Sequence, residues 1–449
     1  MKGSLSISLS MVAFALAGCE SSGLSEASPR GASEPDTARS ASSAARVDGN
    51  GTAQSASWRQ CPNASAPDTE VIIRTRDEAR ALGDAYSIVD TLIIEGDELT
   101  SLDALSCLAR VDNLIVSDTA LRNIRLPALE TVGTALFENN EDLRVIALRR
   151  AASMSALEVV GNPALFMVQA GALEEIHGDV EIGDNDALSA VNLSALQRVE
   201  AIDVHDNPSL QRLRLGALEE AYSVSISQTG LSRALVLPEL HTVTAQLWLE
   251  ENPYLQDVRL GKLQTVNESL VMASGLIFHD NSSLRELQMP SLVEVNGHFS
   301  ISENANLREI RVSAMEVVGK PDALCDRGCT TGWLNISDNL SLTSVSFPSL
   351  QAIARRLSIA DNPALTELDG FSSLSIIRGN LEITDNERLE DIHGLFNLES
   401  VGSWAAPIGP DAGNLLIAYN ERLDSEQAEE LAFDVIGEDN VGGGIIIAQ

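Results

Sequence analysis

Apolar and polar positions alternate in short phrases, and one phrase returns along most of the chain. Val180-Glu-Ile182-Gly-Asp-Asn185-Asp-Ala-Leu188 is followed by Ile202-Asp-Val204-His-Asp-Asn207-Pro-Ser-Leu210 and later by Leu357-Ser-Ile359-Ala-Asp-Asn362-Pro-Ala-Leu365. The same asparagine recurs as Asn140, Asn162, Asn252, Asn281, Asn304, Asn339, Asn386 and Asn420. Three further turns, marked by Leu92/Ile94, Leu114/Val116 and Val224/Ile226, keep the apolar pair. They reach the next leucine (Leu99, Leu121, Leu231) one residue sooner. Together these make fourteen turns, most of them 21 to 24 residues apart. The later half of a turn is clear in Leu287-Gln-Met289-Pro290-Ser-Leu292-Val-Glu-Val295.

Alternation over three to five residues predicts short strands with one buried face. No ten-residue helical pattern intervenes, so the expected fold is mainly β: a coil of short parallel strands, each turn stacked on the next. At a sharp corner the backbone leaves its ladder, and its buried donors and acceptors need partners. A side-chain amide offers two donors and an acceptor oxygen, so stacked asparagines can serve the corners above and below. Aromatic residues make up 4% of the chain, which predicts a core of stacked aliphatic columns. Short helices are expected to cap the stack. One spans Arg76 to Leu82; the other spans Ala428 to Val435, after Asp424-Ser-Glu-Gln427, which reads as a capping box. A last strand is expected near Ile445 to Ile447.

Leu381-Glu-Ile383-Thr-Asp-Asn386-Glu-Arg-Leu389-Glu-Asp-Ile392, preceded by Leu374-x-x-Ile377-x-Gly379, resembles the receptor L-domain pattern, which is related to leucine-rich repeats. The likeness covers roughly residues 61 to 447. It implies a right-handed parallel β-coil solenoid of about 14 turns and an extracellular recognition scaffold. No growth-factor-binding residue carries over.

The N-terminus adds an address. Lys2, an apolar stretch from Leu5 to Ala17 and then Leu16-Ala17-Gly18-Cys19 form an export signal too short to span a bilayer. The last four residues resemble the bacterial lipobox, which implies acylation of Cys19 and anchoring in a membrane. Glu20 replaces the aspartate of the inner-membrane retention signal, so the expectation is a cell-envelope protein on the outer membrane, at its surface or its periplasmic face. Residues 1–18 read as the signal peptide and 19–57 as a disordered Ser/Ala/Gly-rich tether. Residues 58–449 read as the solenoid.

Net charge is −35, which argues against nucleic acid and against electrostatic docking on anionic lipid. After Cys19 four cysteines remain, an even number for an oxidising compartment. Of three pairings the sequence favours Cys61 with Cys107 and Cys325 with Cys329; a metal site is the rival reading of the second pair, without a nearby histidine. No cofactor and no metal centre is expected.

Candidate ligand-binding residues lie on the outward strand face, two and four residues before the corner asparagine. They include Asp203, His205, Trp248, Glu250, Ile277 and His279, with Trp248 read as an exposed platform beside His279. Later turns offer Ser300, Ser302, Asn335, Ser337 and Ser358. Trp333 and Trp404 lie on or beside insertions near 319–333 and 402–414; a third insertion, near 265–278, carries the Asn267-Glu-Ser sequon. An acidic column (Asp184, Asp206, Glu251, Asp280, Glu303, Asp338, Asp361, Asp385) precedes the corners. Two readings stand for it: carboxylates accepting corner backbone N–H groups, or divalent cations between coils.

The function expected is a non-catalytic scaffold that binds a protein or glycan ligand. The alternatives are a self-associating structural or adhesive protein and, behind it, a β-helix polysaccharide-degrading enzyme. The six histidines show no metal spacing, and no nucleophile motif or phosphate loop is present.

Overall fold

The computed structural model describes residues 61–266, 275–319, 332–402 and 413–448. These residues form a parallel β-solenoid of about 14 turns. The export signal, Cys19, the tether, Cys325, Cys329, Asn267 and Trp404 lie outside the described residues.

Each turn lays one strand in a main parallel sheet. Val180 and Ile182 stand opposite Leu157 and Val159 on one side and Ile202 and Val204 on the other. Because side chains alternate with a period of two, this shared register stacks every buried residue on its counterpart. The columns that result are fully enclosed, from Leu92 and Ile94 to Leu381 and Ile383. Large rings enter the core together: Phe299 and Phe347 meet edge to face with centroids 6.0 Å apart, and Phe347 stacks on Phe371 at 5.3 Å.

The x-apolar-x segment after each corner forms a second set of strands. Five of them, from Asn123–Arg125 to Arg212–Arg214, make one sheet, and five from Arg233–Val236 to Ser344–Ser346 make another. Among the described residues no ladder joins Arg212–Arg214 to Arg233–Val236. Elsewhere 3₁₀ turns replace the strand, at Asp103–Leu105, Asp369–Phe371 and His393–Leu395.

The corners explain the asparagines. Asn162 Oδ1 accepts from the backbone N–H of Asn140 (3.1 Å), and its Nδ2 donates to the carbonyls of Phe137 and Val160 (3.0 Å each). One amide therefore ties its own coil to the coil before it, in a site with no solvent exposure. The pattern runs from Asn140 to Asn207 and resumes from Asn252 to Asn420. In two of the short turns the slot holds a residue that sequence reading passed over. Thr119 and Thr229 each place backbone N–H and hydroxyl on the next asparagine, Asn140 and Asn252.

The backbone gives the acidic column a cause that neither reading named. Asp184, Asp206, Glu251, Asp280, Glu303, Asp338, Asp361 and Asp385 all have φ between 45° and 58°. Among the described residues no corner N–H donates to these carboxylates. Left-handed backbone costs an L-residue roughly 1–2 kcal/mol, and Asp and Asn visit it most readily after glycine. The column is a backbone requirement, and Gly161 and Asn139 meet it in other turns.

At the first end Thr75 caps the helix Arg76–Ala85 in a full capping box with Glu78, a box missed in the sequence. At the other end Asp424 caps the helix Ser425–Glu429 through Glu426 N–H (3.0 Å). Gln427 does not close the expected box. Its amide donates to Glu390 O (3.1 Å) and accepts from Ile392 N–H (3.3 Å), joining the cap to the coil beneath. The helix then widens into a π-helix, Glu430–Ile436, which buries Leu431, Ala432 and Ile436. The strand Ile445–Ala448 follows, paired with Leu415–Ala418. Cys61 and Cys107 are disulfide-bonded with Cα atoms 5.3 Å apart.

Candidate functional site

The outward row of the main sheet places the candidate residues by register. Trp248 stands between Ser225 and Ile277, and Glu250 between Ser227 and His279. Ile277 then pairs with Ser300, and His279 with Ser302. Trp248 and His279 are thus diagonal neighbours on adjacent strands, as their spacing predicts. Trp248 is half-buried rather than exposed, and its indole Nε1 is buried.

Charge surrounds that ring. His279 Nε2 lies 4.0 Å from Glu250 and 3.9 Å from Glu303, and its Nδ1 is 3.0 Å from Ser302 Oγ. Burial pushes the Glu250 carboxyl above the usual range; His279 pulls it back, Glu251 and Asp280 push it further up, and the Trp248 side chain lowers it.

Asp203 and His205 lie on the strand Arg198–His205 and do not join this cluster, because Asp203 is separated from Trp248 by Ser225. They belong to an acidic row in which Glu158, Glu181 and Asp203 stand on consecutive strands. Burial raises the Glu158 carboxyl, helped by Glu181, Glu138 and Asp179. His205 sits against this row, 3.1 Å from Asp206 and 3.7 Å from Glu181. Burial opposes charge on the imidazole, but the Asp206 hydrogen bond and the charges of Asp203, Asp206 and Glu181 outweigh it and raise its pKa. A side chain on Gly183 would collide with the ring, so the glycine is what admits it.

Trp333 forms a separate place. It lies two residues before Asn335, immediately ahead of the strand Leu334–Ser337, and meets His298 edge to face with centroids 4.6 Å apart. Burial, with Arg355 adding to it, lowers the His298 pKa to about 4, and its Nδ1 is buried without a partner. Counting rungs at about 4.8 Å, Trp333 is three strands from Trp248 and roughly 14 Å across the sheet. Ser358, expected outward, is covered by the Arg356–Glu382 ion pair. Among the described residues no three His, Cys, Asp or Glu side chains gather as a metal-binding group.

No protein-family model matches the chain, and no curated protein matches it either. Among solved structures it is similar to a leucine-rich repeat protein from Bacteroides ovatus, at 12% identity over 80% of this chain and 88% of that one, with a TM-score of 0.27. A leucine-rich repeat protein of Leptospira interrogans is also 12% identical, over 80% of this chain and 97% of that one, with a TM-score of 0.24. The functional domain of InlJ from Listeria monocytogenes is 13% identical, over 72% of this chain and 78% of that one, with a TM-score of 0.19.

Proposed function

We propose that this protein is a lipid-anchored recognition scaffold, held in the outer membrane through Cys19 and displaying its solenoid outward on the 19–57 tether. Its ligand is a protein, bound on the outward face of the main sheet. The observation that carries this reading is the patch formed by Trp248, Ile277, Glu250 and His279. It combines a large ring, an aliphatic neighbour and a carboxylate–imidazole pair on adjacent strands. Interface centres favour aromatic anchors with a few charged groups beside them. The polar groups of this face alternate and stack from coil to coil, which suits a broad contact surface better than a convergent catalytic centre, so the reading is non-catalytic.

The test is a photocrosslinking amino acid placed at Ile277 and, as a control, at Gln288 on the outer strand Glu286–Gln288, in producing cells. A discrete adduct with another protein at position 277, diminished by Trp248→Ala and absent at 288, is the expected result. No adduct at 277, or the same adducts at both positions, would refute the proposal. An adduct of two copies of this chain would instead favour the self-associating structural reading.

A further inference from the structure

The second set of strands breaks at one place, and so does the asparagine ladder. Asn207 N–H finds no amide oxygen on the following coil and donates to Gln228 O (3.2 Å) instead. The next corner residue is Thr229, in a turn one residue shorter than the Asn207 and Asn252 turns on either side. A short turn between two full ones must recede. Gly230 lines the gap, and a side chain there would collide with Pro208 O. The result is a notch of about 350 Å³, walled by Pro208 and Gln211 on one side and by Tyr254, Gln256 and Ser283 on the other, above Gly230 and Ser232. That volume is within the ordinary range of about 300–1,000 Å³ for small-ligand sites.

Its lining departs from its surroundings in three ways. None of these residues is charged, although the chain carries 65 acidic residues. Tyr254 is 60% exposed and occupies the second position after the corner asparagine, where the preceding turns carry Ala164, Ala187 and Ser209. The side chains of Gln211, Ser232, Tyr254, Gln256 and Ser283 make no hydrogen bond to another described residue. They present amide and hydroxyl groups that both donate and accept. An open aromatic face beside uncharged groups that donate and accept matches a sugar ring, with its apolar C–H face and its rim of hydroxyls. A charged ligand would find no counter-ion in the lining.

We propose that this notch binds a neutral oligosaccharide, with a sugar ring on Tyr254 and its hydroxyls shared by Gln211, Ser232, Gln256 and Ser283. The notch spans four coils, about 14 Å at solenoid spacing, which suits two or three sugar rings. The site is distinct from the Trp248 face, and its test is independent of that reading.

Saturation-transfer NMR on the purified full-length mature protein tests it with maltotriose, cellotriose, mannotriose and the trimer of N-acetylglucosamine as probes. Transfer to at least one of them is expected. Tyr254→Ala should weaken that binding about tenfold or more, roughly the loss of one good contact, and Trp248→Ala should leave it unchanged. The ring of Tyr254 is outside the core, so its removal leaves the fold in place, and the Gln211→Ala and Gln256→Ala variants read the polar half separately. No transfer to any of the four sugars, or transfer indifferent to all three notch variants, would overturn the proposal.

Discussion

At the residue scale, one corner sets two requirements on neighbouring positions. The first needs positive φ and the second needs an amide, and the recurrent Asp-Asn pair supplies both. The asparagine was legible because a buried corner has donors and acceptors to satisfy, and the amide is the side chain that serves both. Its acidic partner was misread, because a carboxylate invites an electrostatic reading and φ leaves no mark on composition. Glu251, Glu303, Gln228 and Tyr419 adopt the same conformation without aspartate's local advantage, which shows that the coil imposes it. His298 gives a prediction at this scale. Its folded pKa of about 4 lies below the ordinary 6.5. The unfolded chain therefore takes up a proton that the folded one refuses. The neutral ring's contribution to stability is complete above pH 6.5 and is lost as pH falls toward 4. Denaturant titrations at pH 7 and pH 4.5 should show His298→Gln losing less stability than the parent over that interval; an equal or greater loss would contradict the assignment.

At the element scale, strands were legible and their substitutes were not. The apolar-x-apolar phrase specifies a main-sheet strand because register and burial agree at every coil. The 3₁₀ turns at Asp369–Phe371 and His393–Leu395 keep the same buried residues on a tighter backbone, so the hydrophobic pattern cannot tell them from a short strand. The π-helix near the C-terminal cap was likewise hidden, since Leu431, Ala432 and Ile436 are spaced closely enough for an α-helix. Thr75 and Glu78 do follow a capping pattern and were readable. The ladder itself carries a prediction. Asn304→Ala removes acceptance from Asn281 N–H and donation to Phe278 O and Ser302 O. Each stranded buried group costs about 1–3 kcal/mol. Chemical denaturation should therefore show a loss of about 3 kcal/mol or more. A loss of under about 1 kcal/mol would mean the ladder is not what holds the corners.

At the scale of the whole molecule, the repeat fixes stacking and leaves function to its departures from periodicity. Of the candidate site, the sequence showed that Trp248, Glu250, Ile277 and His279 share one face; it did not show the buried indole edge or the Trp333–His298 pair. The notch at Thr229 was invisible for a different reason. A one-residue deletion looks trivial along the chain and becomes a cavity only when full turns stand on both sides of it. A stacked scaffold of this kind presents long rigid faces, and its use depends on which compartment those faces meet. The direct test is protease or antibody accessibility of the solenoid on intact cells, compared with lysed controls. Cleavage or labelling on intact cells, lost from the cell fraction in a Cys19→Ser variant, is the predicted result. Protection until lysis would contradict outward display and place the working face in the periplasm.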